Sequence, residues 1–412
     1  MKRVFTVGAA LMMTASAVSA AGIERNRLSY STMYEPGDYL ELQWSTVSTD
    51  VTGDYDDDLA ALGGSDSTGD MSNDYFSVGL AYKNQLNDQL SLGFFLNRPY
   101  GADAQYSQGV YTGLEAEWKS RQAAVLLRYA LNSNFSVYGG LRYVESQPDI
   151  MIPDILVRGA AGNRAQELQA EAQAAAAAGD LATAQELGAE ATRLGGTALS
   201  PTDVTYTART ERDGAVGYVA GVAYERPEIA LRVALTYESS LEYEFDTKEV
   251  FAGRPDLSDD DTTTEIEMPQ TIALDFQTGI AQDTLLFGTI RWSEWSVWEV
   301  QPDAYLNATG GRVTGIDDDA MEYTLGVGRR LTEDFSAFVR VKHEPGNGEE
   351  ASRLAPTDGL TSVGFGGTYN YEDIKLTGGV EFVNLGDAED SSNTDFSDNS
   401  AVAVGLNIGF RF

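Results

Sequence analysis

Apolar residues in this chain recur chiefly at every second position, and the last fourteen residues carry the pattern most fully. From Asn399 to Phe412, Val402, Val404, Leu406, Ile408, Phe410 and Phe412 alternate with Ala403, Gly405, Asn407, Gly409 and Arg411. A period of two marks a strand with one apolar face. As the last element of a soluble sheet it would be a long exposed edge, open to pairing with other chains. In a closed membrane barrel it pairs with the first strand and leaves no edge. The same alternation runs through Phe76, Val78, Leu80 and Tyr82, through Leu90, Leu92, Phe94 and Leu96, and through Ile229, Leu231, Val233, Leu235 and Tyr237.

Across the chain the pattern predicts strands at about 39–50, 73–84, 89–98, 114–130, 135–146, 214–225 and 228–246. Seven more follow at about 264–281, 284–300, 318–331, 335–344, 359–371, 374–386 and 399–412. Short turns such as Leu131–Asn134, Arg226–Glu228 and Glu372-Asp373 follow the even-numbered strands, and long polar segments follow the odd ones. Tight turns at one end, long loops at the other and an even strand number are the organisation of outer-membrane barrels. The predicted fold is therefore all-β, a 14-stranded antiparallel transmembrane β-barrel over residues 39–412 with both termini at the periplasmic rim. Tyr129, Tyr143, Tyr224, Tyr237, Tyr369 and Tyr371 fall near strand ends, where amphipathic rings sit at the membrane interface. Trp292, Trp295 and Trp298, spaced by three, cannot share one face of a regular strand. The ninth strand is thus expected to carry a bulge or to turn one indole into the lumen.

The third external loop, 147–213, is far longer than a connection needs. It opens on an apolar cluster, Ile150, Met151, Ile152, Ile155, Leu156 and Val157, and continues into an Ala/Glu/Gln-rich stretch from Asn163 to Leu194. High helix propensity there, broken at Gly179-Asp180, predicts a helical hairpin with Asp180 as an N-cap and Gly195-Gly196 as a stop. Leu181, Ala184, Leu187, Ala191 and Leu194 form one apolar stripe. Stripe and cluster either pack the hairpin onto the barrel mouth or together offer a ligand an apolar surface.

Composition adds the compartment. Lys2 and Arg3 precede an apolar run, Val4 to Ala17, that ends in Val18-Ser19-Ala20, which predicts a signal peptide over residues 1–20 and a mature start at Ala21. No later run reaches the roughly 18 apolar residues of a membrane helix. The chain has no cysteine, one histidine and a formal charge of −35. It does not depend on disulfides, and so acidic a chain does not bind nucleic acid through phosphates. The charge reads as solvated acidic loops, or alternatively as a cation-selective vestibule or divalent-ion surface. No enzyme is expected, because His343, between Lys342 and Glu344, is the one histidine available to any catalytic dyad. No cofactor or metal is expected either, since the run Asp317–Asp319 lacks the spaced ligands of a calcium site.

Several stretches, in order, resemble the FadL/TodX family of outer-membrane transporters for long-chain fatty acids and other hydrophobic compounds. They are QLNDQLSLGF at 85–94 with NRPYG at 97–101, YALNSNFSVYGGLRY at 129–143, GVAYERP at 221–227 with LTYES at 235–239, and MPQTI at 268–272 through RWSEW at 291–295. The resemblance implies a monomeric barrel that captures its ligand on helical external loops and passes it to a luminal site. It further implies an amino-terminal plug and a kinked third strand through which the ligand leaves sideways into the outer leaflet. The kink, and hence the lateral opening, falls at Arg98, Pro99, Tyr100 and Gly101, where Pro99 cannot donate to a ladder. By strand parity Arg142, Arg232, Arg340 and Lys342 point inward, either to bind a fatty-acid carboxylate or to pair with inward acids such as Glu238 and Glu344. The chain departs from the family at its start: residues 21–38 are short for a plug and lack the family's Asn-Pro-Ala signature, which leaves open whether Ala21–Pro36 enters the lumen. The expected function is passive transport of long-chain fatty acids or other hydrophobic molecules, with a general diffusion porin of open, water-filled lumen as the alternative. Expected partners are that ligand, outer-membrane lipid and the barrel assembly machinery, which reads the terminal Phe412.

Overall fold

The computed structural model describes residues 23–27 and 30–412; the expected signal peptide and mature start lie outside the described residues. Fourteen antiparallel strands form the barrel. They are β1 (Tyr39–Asp50), β2 (Tyr75–Gln85), β3 (Leu90–Asn97 and Gly101–Gln105), β4 (Glu115–Ala130), β5 (Phe135–Ile152), β6 (Tyr206–Thr210 and Asp213–Arg226) and β7 (Leu231–Glu238 and Leu241–Phe251). The second half comprises β8 (Asp259–Met268 and Thr271–Ala281), β9 (Thr284–Ser293), β10 (Ala320–Arg330), β11 (Phe335–Glu344), β12 (Leu360–Tyr371), β13 (Ile374–Leu385) and β14 (Ser400–Arg411). The terminal strand closes the barrel as its period predicts. It pairs with β1 from Tyr39↔Arg411 to Asp50↔Ser400, and with β13 from Ile374↔Phe410 to Asn384↔Ser400. Closure gives strand backbone groups partners that a bilayer core cannot supply.

Alternation sorts each wall residue to one side. On β4, Val125, Leu127 and Tyr129 are exposed outward, while Trp118, Gln122, Ala124 and Leu126 are buried inward. Higher on the same outer face stand exposed Lys119 and Arg121, so the apolar band ends near Ala123. Aromatic pairs border the band: Phe135 with Tyr224 at the short-turn rim (4.8 Å) and Tyr218 with Tyr237 higher up (5.7 Å).

Four expectations are corrected in detail. β5 continues to Ile152 instead of ending near 146, because it keeps pairing with β4 up to Glu115↔Met151. β9 ends at Ser293 instead of 300, and a 3₁₀ turn, Trp295–Val297, follows it. That turn carries two indoles, Trp295 and Trp298, into the interior, while Trp292 stays on the wall and donates to Asp319 (3.0 Å). The helix does not stop at Gly195-Gly196. The hairpin helices α2 (Asp154–Ala177) and α3 (Leu181–Ala198) follow a first short helix, α1 (Asp57–Gly63), and α3 runs on because buried Leu194 and Thr197 anchor its last turns. Tertiary packing there outweighs the weak propensity of glycine. Asp180 does cap α3, accepting from the Thr183 amide (3.1 Å). Finally, Asp259–Asp261 open β8 and are not loop residues, which leaves the fourth loop only 252–258.

Close approach requires glycine at position 140, where a Cβ would lie 1.9 Å from the Val125 carbonyl oxygen across the β4–β5 ladder. Gly140→Ala is expected to destabilise the barrel by about 1–3 kcal/mol through overpacking. The shift from folded to unfolded mobility on heating in detergent gels measures this.

Candidate functional site

The amino-terminal segment enters the barrel. Glu24 forms an antiparallel bridge with Tyr100, the Arg25 amide donates to the Pro99 carbonyl (2.8 Å), and the Gly101 amide donates to the Ile23 carbonyl (2.7 Å). The Asn97 side-chain amide also donates to the Asn26 carbonyl. A 3₁₀ turn, Tyr30–Tyr34, then crosses the lumen floor with Met33 fully buried and the Tyr30 hydroxyl donating to Glu238 (2.8 Å). The segment leaves toward β1 through Glu35, held by Lys375 (2.6 Å) and Arg411 (3.3 Å).

An ion network fixes it to the opposite wall. Glu24 bonds Arg27 (2.6 Å) and Arg291 of β9 (2.6 Å), Arg27 bonds Glu322 of β10 (2.9 Å), and Lys342 of β11 reaches Glu322 at 3.4 Å. Burial pushes the Glu24 carboxyl upward, but Arg27 and Arg291 outweigh it and hold the group at about 2. A short plug is thereby locked across the lumen by charge.

The segment meets the wall where β3 breaks. Residues 98–100 of β3 stand opposite only Ser120 and Arg121 of β4, since Asn97 pairs with Gln122 and Gly101 with Lys119, so the strand bulges there. On the β4 side, Ser120 Oγ repairs the break by accepting from the Tyr100 amide (2.9 Å) and donating to its carbonyl (2.6 Å). On the other side the β2–β3 ladder stops at Leu80↔Leu96. Contact resumes only above, where the Asn73 amide meets the Asp103 carbonyl (3.1 Å) and the Gln105 amide meets the Met71 carbonyl (2.8 Å). Between these points the wall is open, and a cavity of about 350 Å³ lies there against Arg25, Tyr75, Ser77, Arg98, Tyr100 and Trp118.

Two further cavities continue from it. Ala102, Glu117 and Trp118 also border an apolar waist of about 60 Å³, closed by Ile23, Ile150, Ile266, Trp298, Val300 and Leu354. Thr314 and Leu354 of the waist in turn border a groove of about 730 Å³ at the mouth, with Leu114, Ile152, Leu156, Tyr305 and Val313. Mouth groove, waist and wall gap therefore form one sequence of neighbouring spaces. The fifth loop builds much of it, through Trp298, Val300 and the helix α4 (Asp303–Thr309). Buried Glu249 of β7 caps α4, accepting from the amides of Ala304 (3.0 Å) and Tyr305 (2.9 Å).

The residues expected from sequence fall unevenly along this route. Ile150 lines the waist, and Ile152 and Leu156 line the mouth groove. Met151 has the opposite strand parity, Ile155 is 37% exposed on the first turn of α2, and Val157 is wholly buried beneath the groove. Arg98, Tyr100 and Gly101 border the wall gap, and Pro99 holds the plug through its carbonyl. The four inward cations all have protein partners: Arg142 bonds Glu238 (2.8 Å), Arg340 bonds Glu381, Lys342 faces Glu322, and Arg232 donates to Gln277 (3.1 Å) beneath the Tyr34 ring. The helical stripe is used within the hairpin: α3 packs on α2 and α4, Leu194 is buried, and Leu181 at the far end is 71% exposed. His343 shares a hydrogen bond with Thr361 on the exposed side of β11 (2.9 Å). Asp317 pairs with Arg312 (2.7 Å), and among the described residues no acidic or histidine group has metal-binding geometry. Trp298 lines the waist, as one of the three tryptophans whose spacing predicted an indole turned inward, while Trp118, Ile266 and Leu354 carry no such signal in the sequence.

Glu24→Gln leaves Arg27 and Arg291 short of a buried counter-charge, a loss of about 3–5 kcal/mol when a buried pair is broken. It is expected to release the segment and raise single-channel conductance in planar bilayers. The Glu24 carboxyl lies below its unfolded value of about 4.3. Its contribution is therefore complete above that pH and is lost as pH falls through about 2. The native protein should stay electrically quiet at pH 4 and begin to open only near pH 2.

The profile of the family "Outer membrane protein transport protein (OMPP1/FadL/TodX)" matches residues 8–373. Among solved structures, a Pseudomonas aeruginosa FadL homologue superposes with a TM-score of 0.68 at 11% identity, covering 93% of this chain and 92% of that one. The Pseudomonas putida toluene transporter TodX gives 0.63 at 13% identity, over 97% and 94%. The CymD monoaromatic hydrocarbon channel gives 0.56 at 12% identity, over 99% and 94%. At such identities these likenesses speak to the fold. No protein of curated function matches the sequence. Family profile and barrel together assign the chain: it belongs to the OMPP1/FadL/TodX family of outer-membrane transporters of hydrophobic compounds.

Proposed function

We propose that this protein carries hydrophobic molecules passively across the outer membrane, taking them in at the mouth groove and releasing them sideways between β2 and β3. The observation that carries the reading is the run of three neighbouring cavities ending where the β2–β3 ladder is interrupted. A ligand that left through the wall would emerge at the upper edge of the apolar band, past a rim that includes Arg98 and Arg121, and reach lipid without entering the periplasm. Two structural neighbours, a toluene transporter and a monoaromatic hydrocarbon channel, act on ligands that suit a waist of this chemistry. Long-chain fatty acids are the other ligand class that the sequence suggested.

On this reading the barrel acts as a monomer, its apolar belt meets outer-membrane lipid, and Phe412 at the end of the closing strand addresses it to the assembly machinery. The porin alternative is disfavoured by the ion-paired segment lying across the lumen. Ala102, shared by waist and gap, offers a direct test. Ala102→Trp is expected to cut uptake of a labelled aromatic hydrocarbon about tenfold, the effect of a barrier about 1.4 kcal/mol higher. Deleting the hairpin tip, residues 168–190, removes no residue that lines these three cavities and should leave uptake unchanged. Undiminished uptake in Ala102→Trp would exclude the lateral route, and large stable currents through the native barrel would favour a porin.

A further inference from the structure

The outer wall beside the gap carries charge of the opposite sign to most of the chain. The sequence has 63 Asp and Glu against 28 Lys and Arg. The upper outer faces of β7 and β8 follow that balance, with Glu242, Glu244, Asp246 and Glu265 all exposed. Around the gap it reverses: Arg25, Arg98, Lys119, Arg121 and Arg212 border the cavity against three acids, Asp103, Glu117 and Glu145. Those acids are already engaged. Glu117 bonds Lys119 (2.6 Å), Glu145 bonds Arg212 (3.4 Å), and Asp103 accepts from the Asn73 side chain (2.8 Å). Arg25 lies over the Tyr75 ring (3.8 Å).

Arg98 and Arg121 are left. Both are exposed, and their guanidinium groups have no ion pair or hydrogen bond among the described residues. Because Asn97 pairs with Gln122, these two residues are next-door neighbours on adjacent strands, which lie about 5 Å apart. Glu145 stands opposite Arg121 on β5, yet its bond is to Arg212. Like charges side by side on neighbouring strands cost stability, and an anion between them removes that cost. Paired guanidinium groups suit phosphate in particular, through bidentate bonds.

The wall below the pair selects the kind of phosphate. Down β3 and β4 the outer face becomes apolar at once, with Leu96 and Phe94 below Arg98, and Ala123 and Val125 below Arg121. One two-residue step along each strand, about 7 Å, separates cation from apolar surface. Exposed Phe76 and Val78 of β2 add apolar surface on the other side of the gap. A free phosphate would meet the cations alone, whereas an amphipathic molecule would meet both surfaces. The long-loop end of an outer-membrane barrel is external, so this edge of the apolar band lies in the outer leaflet. Basic clusters at such an edge attract anionic headgroups.

We infer that Arg98 and Arg121 form a binding site for the phosphate of an outer-leaflet lipid, whose acyl chains run down the wall over Leu96 and Val125. Lys119 and Arg212, each held by a neighbouring acid, flank the site. The lipid stands at the outer rim of the gap, and its binding does not depend on what passes through that gap.

Native mass spectrometry of the full chain in detergent tests this with two probes of the same acyl body, lipid A and lipid A stripped of its phosphates. Lipid A is expected to bind about tenfold tighter than the stripped form. Arg98→Gln combined with Arg121→Gln should abolish that preference and leave binding of the stripped lipid unchanged, which also reports that the variant is folded. Arg226→Gln combined with Arg254→Gln removes the same charge at distant sites, where each arginine pairs with an acid two residues on, and should change nothing. If the first double variant does not fold, phenylglyoxal labelling of the native protein replaces it, with lipid A expected to protect Arg98 and Arg121 and the stripped lipid not. Absence of lipid A binding, equal binding of the two lipids, equal loss in both double variants, or labelling that lipid A does not slow would overturn the inference. Inorganic phosphate displacing lipid A at comparable concentration would overturn the lipid assignment in favour of free phosphate.

Discussion

Everything in this barrel depends on one requirement: a backbone amide or carbonyl inside a bilayer must find its partner within the protein. Closure by β14 on β1 meets it at the seam, over an unbroken register from Tyr39 to Asp50. One stretch of wall, between Leu80↔Leu96 and the contacts at Asp103, does not meet it by strand pairing. There Pro99 withholds a donor, and the freed groups of β3 turn inward to Ser120 and to the amino-terminal segment. The segment thus replaces part of the missing ladder. Plug and wall opening are one structural unit, because each satisfies the backbone of the other.

A lumen that holds such a unit has to hold charge as well. Buried ions survive only when paired, and here they pair across strands far apart in sequence, Glu24 with Arg291 and Arg27 with Glu322. The consequence is a division of labour along the barrel axis. Its lower part combines ion pairs with an apolar cluster around Tyr30, Met33 and Phe95, while the waist above, from Trp118 through Ile266 to Trp298, is apolar and lies between two more polar cavities. The inward arginines therefore serve to position the plug and the walls. Strand parity identified their direction and offered Glu238 as an inward acid, with which Arg142 pairs, but a partner such as Glu381 depends on which strands become neighbours.

The same distinction explains what was legible in the sequence. A period of two is imposed by the pleat and the membrane together, so strand number, short and long connections and even the β1–β14 pairing follow from local pattern. The break at Arg98–Tyr100 was placed by the family resemblance, with which proline's lack of a donor, a local fact, agrees. Features settled by distant packing were not legible. Ile150 and Ile152 look like loop residues beside Pro148, but pairing of Ile150 with Ala116 of β4 and of Ile152 with Tyr206 of β6 keeps them on a strand. Gly195-Gly196 looks like a helix stop, but Leu194 and Thr197 are buried on either side of it. Residues 21–38 look too short for a plug, and the ion network that makes a short segment sufficient draws its partners from β9, β10 and β11.

The placement of the narrow point follows from these constraints. On the proposed route a molecule would trade water for the mixed surface of the mouth groove, then for the apolar waist, then for lipid beyond the wall gap. For an apolar body the step from water into the waist would be favourable, at roughly 25 cal/mol for each Å² removed from water. On that route the waist would be the narrowest of the three spaces, about 60 Å³ against about 350 and 730 Å³ on either side, so the fit of a passing molecule would be tightest there. Ile23, whose carbonyl accepts from the Gly101 amide, lines the waist, and Arg25 lines the wall gap, so the amino-terminal segment borders both spaces.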